Sequence, residues 1–226
     1  MTLPSHKQLL HSEFALNKAL SPAHIQAERQ HAQKLLQAGF ATAAFLHLWI
    51  VTEVAAKELM SIYKYTKDTH DALKKLGPEL KRALQPHITA ANKKAAHLQA
   101  SELSEKTLTA MIGPLHGVFN DQAKNSSERL DVGIIKSVLN ELELPFDNIK
   151  LDYLLGTKEK ALPEGISNIG QITIRNRRNA LVHTNGKIDG ATLVQLLLVF
   201  EYFFELLTQI QAAADRLQPH SANEVA

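Results

Sequence analysis

The 226-residue sequence contains no cysteine, which excludes disulfides, thiolate zinc sites and a cysteine nucleophile. A strong excess of one charge is also missing. The formal net charge is +2, so any binding to nucleic acid must come from a local cluster. Long apolar runs are absent too: residues 41–51 and 191–200 are the most apolar stretches and are too short to span a bilayer. The N-terminus has no apolar core of a signal peptide. We therefore expect a cytoplasmic protein without a membrane partner.

Strong period-two alternation is missing as well, and Ala, Leu, Lys, Gln and Glu dominate, so the sequence predicts an all-α fold. Ser21-Pro22 is typical of an N-cap followed by proline at the first helical position, and Gly39 is the matching stop. The next helix is predicted from Ala41 to about Lys64, with most of its circumference buried. Asp189 can cap a last helix that runs to about Leu217, with a broad apolar surface.

Glycine and proline predict breaks in the middle of the chain, at Gly77-Pro78, Pro86, Gly113-Pro114 and Pro145. We expect one helical domain over residues 1–218 and a disordered tail over 219–226. A helical subdomain inserted at residues 66–145 is a second organisation that these breaks permit.

The segment RNRRNALVHTNG, residues 175–186, combines cations, apolar residues and a histidine. We predict a helix from about Asn168 to His183 that ends at Asn185-Gly186. Arginine binds phosphodiesters through paired charge-assisted bonds, histidine transfers protons near neutral pH, and asparagine can orient the imidazole or bond a phosphate oxygen. The chain has no P-loop and no His-Glu-x-x-His motif, and its histidines are scattered. We therefore expect no metal and no cofactor.

His183 follows Arg178 by five positions, which places the two side chains about 140° apart around a straight helix. A contact within one protomer would need the reach of the arginine, a kink, or a second copy of the chain. Asn179 and His183 share a face, about 40° apart.

The sequence RNALVH, Arg178 to His183, resembles the Arg-x4-His signature of the HEPN superfamily, small all-α proteins that include many metal-independent endoribonucleases of toxin–antitoxin and antiviral systems. Its position at a helix end before one last long helix is also similar. The resemblance implies a HEPN-type helical bundle with extra helices inserted in the middle of the chain, and Arg178, Asn179 and His183 as active residues. It further implies a homodimer whose two motifs line one cleft. One HEPN subgroup has His-x-Tyr, and its tyrosine is modified by a nucleotidyltransferase antitoxin. This chain has Asn185 there, so that control mechanism is not expected.

Glu53 lies in FLHLWIVTEVAAKEL, a stretch that resembles a HEPN core helix carrying an acidic residue. A buried carboxylate requires a cationic partner, so Glu53 either supports Arg178 or lies on a polar stripe with Lys57. Arg175 and Arg177 either bind RNA phosphates or are solvated or paired with acidic residues. Trp49 and the Phe200-Phe203-Phe204 group are predicted to pack rather than to stack on bases.

Two functions of different classes follow from these residues. The first is an endoribonuclease that cleaves RNA by attack of its own 2'-hydroxyl, as a toxin or antiviral effector, with an antitoxin or regulator protein as a further partner. The alternative is a non-catalytic HEPN-like module that binds RNA, a nucleotide or a protein. A third alternative is a helical structural protein in which the match to the motif is accidental.

Overall fold

The computed structural model describes residues 5–17, 20–92, 129–158, 161–167, 169–184 and 186–216. Every regular element within these ranges is a helix, which confirms the predicted all-α class. The helices are α1 (His6–Leu16), α2 (Pro22–Gln37), α3 (Ala41–Asn92), α4 (Val132–Glu141), α5 (Asn148–Leu155), α6 (Ile174–Thr184) and α7 (Gly190–Arg216). The predicted tail at 219–226 lies outside the described residues.

The predicted bounds of α2 are confirmed by its capping contacts. The Ser21 hydroxyl accepts a hydrogen bond from the amide of His24 at 3.3 Å, and Pro22 opens the helix. At the other end Gly39 has φ +84°, a conformation that only glycine adopts without strain. This turn lets the Phe40 amide donate to the Leu35 carbonyl at 2.9 Å, so the chain can turn directly into α3.

The predicted end of α3 near Lys64 is wrong, because the helix continues to Asn92. It passes through Gly77-Pro78 and Pro86, which we had expected to be breaks. A proline removes one helical hydrogen bond and crowds the preceding turn, but the surrounding Ala, Leu, Lys and Glu residues have high helix propensity. By contrast, the predicted break at Pro145 is confirmed, since it lies between α4 and α5. Gly113-Pro114 lies outside the described residues.

The chain divides into two compact units. The first comprises Met1–Leu9 and Lys64–Glu128, and the second comprises Leu10–Tyr63 and Arg129–Ala226. In the first unit, Nε2 of His6 lies 3.1 Å from the Thr66 hydroxyl, and the His6 ring stacks on His70. The insertion at 66–145 and the single domain over 1–218 stay predictions.

The second unit contains a continuous hydrophobic core to which all its helices contribute. Phe45 of α3 packs edge-on against Phe200 of α7, with ring centroids 5.9 Å apart. The ammonium of Lys136 on α4 lies 2.8 Å from the carboxylate of Asp152 on α5. Charged contacts at the rim therefore reinforce apolar packing inside. The aromatic packing expected from the sequence is confirmed, since the following side chains are buried: Trp49, Phe200, Phe203 and Phe204.

Most of the circumference of α3 between residues 41 and 64 is buried or partly buried, as predicted, but one apolar stripe is open. Ile50 and Val54 of this helix are 57% and 48% exposed, and on α7 Val194 and Leu198 are also exposed. Apolar residues on all sides of a helix predict burial, but α3 and α7 each keep one face of the described unit open. These faces are candidates for contact with another chain.

Among the described helices, α7 is long and apolar enough to cross a membrane by length and composition alone. Its most apolar window has a mean hydropathy of 1.6, and 44% of that window is buried. Buried core helices have the same composition, and α7 contributes eleven buried residues to the second unit.

Candidate functional site

The helix that carries the motif, α6, begins at Ile174 rather than near Asn168 as predicted. Ile174 is fully buried and anchors the first turn in the core. Thr173 is buried beside it, and its hydroxyl accepts from the amide of Asn176 at 3.3 Å and donates to the carbonyl of Gly156 at 2.8 Å. Thr173 therefore caps α6 and joins it to the end of α5. A threonine before a helix is a recognisable signal that the sequence prediction missed.

Arg175 binds backbone carbonyls at two other elements. Its Nη1 donates to the carbonyl of Leu130 at 3.1 Å and to that of Leu155 at 3.2 Å. These bonds fasten the first turn of α6 to the segment before α4 and to the end of α5. Burial lowers the pKa of Arg175, the positive charges of Arg129 and Arg178 lower it further, and Glu53 opposes them.

Arg177 also serves the scaffold. Its Nη2 donates to the carbonyl of Ile169, and its guanidinium lies near the Tyr153 hydroxyl. Burial raises the pKa of Tyr153, while Arg177 partly offsets this rise. Tyr153 in turn donates to the carbonyl of Gly170 at 3.3 Å. Arg175 and Arg177 thus bind backbone carbonyls rather than being only solvated or paired with an acidic residue. Their predicted binding of RNA phosphates stays a prediction.

Arg178 differs from these two arginines because its guanidinium is not bonded to the backbone of any described residue. Its Nη1 donates to Oδ1 of the neighbouring Asn179 at 3.1 Å. Both side chains are half-buried. Within the described part of the chain, Arg178 has no carboxylate within ion-pair distance, so one face of the guanidinium is available to a ligand. Asn179 binds the arginine, whereas the sequence had suggested the imidazole or a phosphate oxygen as its partner.

His183 lies in the last turn of α6 and is exposed. No described residue forms a hydrogen bond or ion pair with its ring. The next residue, Thr184, donates to the carbonyl of Ala180 at 2.6 Å and satisfies one of the terminal groups of the helix. Arg178 and His183 thus lie on one helix end, but no contact joins them within the protomer, in agreement with their angular separation.

Glu53 is held by its own helix. Trp49 donates from Nε1 to Oε2 at 2.9 Å, and Nζ of Lys57 lies 3.0 Å from Oε1. Burial alone would raise the pKa of Glu53, but the hydrogen bonds from Lys57 and Trp49 and the charges of Lys57 and Arg178 bring it below its ordinary value of 4.5. Of the two alternatives, pairing with Lys57 is the one formed. Arg178 acts on Glu53 only through a longer-range attraction.

The turn that follows the motif is fixed to the start of α3. The amide of Ile188 donates to the Thr42 hydroxyl at 3.0 Å, and that hydroxyl lies 3.3 Å from the Ile188 carbonyl. Thr42 thus contacts the turn after α6, while the positive charge of Arg178 on α6 lowers the pKa of Glu53, further along α3. Asn185 of this turn lies outside the described residues.

Exposed apolar side chains occur within the motif and near Glu53 on α3. Val182, next to His183, is 55% exposed. It lies one turn from Arg178 on α6, as Ile50 lies about one turn from Glu53 on α3. A surface pocket of about 580 Å³ adjoins the turn after the motif and is lined in part by Phe40, Leu46 and Lys187. The motif thus lies on a mixed apolar and cationic surface.

Asp189 caps α7 as the sequence predicted. Its Oδ1 accepts from the amide of Thr192 at 2.8 Å and its Oδ2 from the Thr192 hydroxyl at 2.9 Å. These bonds hold the pKa of Asp189 below its ordinary value. The cap fixes the direction in which the chain leaves the motif.

Among the described residues, no group of three or more His, Asp or Glu side chains is arranged to hold a metal ion. Comparison with models of protein families, with characterised proteins and with solved structures finds no match to this chain. The resemblance to HEPN proteins therefore depends on the motif and on its setting in an all-α fold.

Proposed function

We propose that this protein is a metal-independent endoribonuclease of HEPN type, with Arg178, Asn179 and His183 as its active residues. One observation carries the proposal. Arg175 and Arg177 are bonded to backbone carbonyls, whereas Arg178 and the exposed His183 have no such bonds to any residue that the structure describes. The two residues that the motif singles out are thus the ones that the scaffold does not use.

The reaction is a transesterification. A base takes the proton of the 2'-hydroxyl, the 2'-oxygen forms a bond to phosphorus, and the bond from phosphorus to the 5'-oxygen breaks as that oxygen receives a proton. The products are a 2',3'-cyclic phosphate end and a 5'-hydroxyl end. His183 supplies proton transfer, and Arg178 stabilises the negative charge that develops on the phosphate oxygens. Asn179 orients Arg178 through the bond between them.

A homodimer is the functional unit in this proposal. Val182 within the motif and Ile50 and Val54 on α3 are exposed apolar residues, and an apolar patch that is complementary to itself forms an isologous interface. Two copies of α6 in one cleft would bring Arg178 of one protomer beside His183 of the other. They would also supply two histidines, one as base and one as acid. By analogy with HEPN proteins, the setting is a cytoplasmic toxin or antiviral effector that an antitoxin or regulator restrains.

The test is cleavage of mixed cellular RNA by purified protein in EDTA. His183→Ala is compared with the wild type and with His24→Ala, which changes an exposed histidine of α2. We expect fragments with 5'-hydroxyl ends from the wild type and from His24→Ala. Cleavage by His183→Ala should fall at least about 100-fold, the usual contribution of a general acid or base.

Two other outcomes would contradict the proposal. Intact RNA with all three proteins, together with salt-sensitive RNA binding, would favour the non-catalytic module. Equal cleavage by wild type and His183→Ala would point to a different site. Retention of RNA binding by His183→Ala would separate a lost proton-transfer group from a lost fold.

A further inference from the structure

A second cationic pocket lies at the other end of α6 from His183. It has a volume of about 280 Å³ and is formed by the segment before α4, the end of α5 and the first turn of α6. Arg129, Arg175 and Thr157 are among the residues that line it. All of these residues belong to the second unit. Three separate elements therefore converge on a site with two arginines.

The two arginines of this pocket outnumber its one acidic residue, Asp131. Asp131 lines the pocket, but its Oδ1 accepts from the amide of Gly133 at 2.8 Å as the cap of α4. Glu53 is engaged by Lys57 and Trp49. In the described ranges, neither Arg129 nor Arg175 has a carboxylate within ion-pair distance. Like charges held near one another repel, and an anion between them would relieve the repulsion.

Arg175 is already oriented for such an anion. Its Nη1 is fixed by the carbonyls of Leu130 and Leu155, and no described group bonds its Nε or Nη2. A guanidinium presents its donors as a planar fork that fits two oxygens of a phosphate. Arg129 is exposed and has no hydrogen bond or ion pair with a described residue, so it can close on a ligand without breaking another contact.

We propose that Arg129 and Arg175 bind a phosphate of the RNA strand that neighbours the scissile phosphate. The inference rests on the proposed function, since Arg178 is assigned there to the scissile group. Arg175 precedes Arg178 by three residues, about 4.5 Å along the helix axis. The two arginines of the pocket and Arg178 therefore form a short cationic track along which one strand can lie.

The test measures binding of a short 2'-O-methyl RNA oligonucleotide, which cannot be cleaved, as a function of salt concentration. Arg129→Gln is compared with the wild type and with Arg216→Gln, which changes an exposed arginine in the last turn of α7 and none of the pocket residues. The logarithm of the association constant falls linearly with the logarithm of salt concentration, and loss of one phosphate contact makes this negative slope shallower by about 0.7 for single strands. At 50 mM salt this corresponds to an affinity about eightfold weaker. Arg216→Gln should match the wild type, and all three proteins should have the same melting temperature.

The nuclease proposal and the pocket proposal can therefore be refuted independently of each other. If the wild type cleaves no RNA but Arg129→Gln reduces the slope, the pocket stands and the nuclease proposal falls. If His183→Ala abolishes cleavage but Arg129→Gln binds with the slope and affinity of the wild type, the nuclease stands and the pocket proposal is overturned. An equal loss with Arg129→Gln and Arg216→Gln would also overturn it, because the effect would then be one of overall charge.

Discussion

Replacing Arg175 by methionine tests whether this arginine holds the motif helix in place. The variant keeps an unbranched apolar side chain of similar reach but cannot donate to the carbonyls of Leu130 and Leu155. Hydrogen bonds from a charged donor contribute about 1.5–3 kcal/mol each. Because Arg175 is half-buried, water replaces part of this, and we use the lower end, about 3 kcal/mol for the pair.

An opposing contribution must be subtracted. Removing the guanidinium also removes its repulsion with Arg129 and Arg178 and its attraction to Glu53. At on the order of 0.5 kcal/mol for each neighbour in a well-hydrated setting, these effects leave a gain of about 0.5 kcal/mol. The expected net loss is therefore about 2.5 kcal/mol. With a typical urea dependence of about 2 kcal/mol per M, the unfolding midpoint should fall by about 1 M.

Trp49 makes the assay specific to the second unit. It is the only tryptophan in the sequence, and it is 1% exposed in the core of that unit. Its fluorescence during urea unfolding therefore reports the unit that contains α6. Arg129→Gln is the matched control, because it removes an arginine from the same pocket without breaking a described bond. It should change stability by less than about 0.5 kcal/mol. A midpoint for Arg175→Met equal to that of the wild type would refute the structural role.

Two further predictions concern contacts around the motif. Because the folded pKa of Glu53 lies below 4.5, its carboxylate stabilises the fold fully above that pH, and the contribution disappears as pH falls through the folded pKa. Glu53→Gln should be less stable at pH 7 by no more than about 1 kcal/mol, with the difference vanishing as pH falls below the folded pKa of Glu53. Urea unfolding compared with Glu205→Gln, an exposed residue of α7, checks this, and a difference that does not vary with pH would contradict it. Thr42→Val removes the hydroxyl that binds the turn at Ile188, so amide exchange at Ile188 should accelerate roughly tenfold, the equivalent of about 1.4 kcal/mol. Unchanged exchange there, or an equal effect in Thr208→Val, would refute it.

The helix ends show which features a sequence encodes locally. Ser21, Gly39 and Asp189 act on neighbours within a few residues, and each was predicted correctly from residue type alone. The end of α3 was missed because proline penalises a helix without forbidding it. The exposure of Ile50 and Val54 was missed for another reason: composition indicates how apolar a helix is, but not which neighbours surround it.

The partners of the arginines could not be predicted in the same way. Arg175 binds carbonyls 45 and 20 residues away in sequence, and Arg177 binds one eight residues away. Every residue offers the same backbone carbonyl, so no residue type marks these acceptors. A sequence search for acidic partners or for RNA contacts therefore overlooks the use that the fold makes of them. These backbone contacts distinguish Arg175 and Arg177, which fasten α6 to other parts of the chain, from Arg178 in the same short segment.

The geometry of α6 then limits how the remaining residues can act. His183 follows Arg178 by five positions, so the two side chains leave a straight helix about 140° apart. A single phosphate cannot sit directly between groups that diverge in this way without a large displacement of one of them. The structure contains no kink element such as proline within α6. If the site is catalytic, the guanidinium and the imidazole that act on one phosphate must therefore come largely from different copies of α6. The exposed Val182 between them, 55% accessible in the single chain, is the residue that such a pairing would bury first.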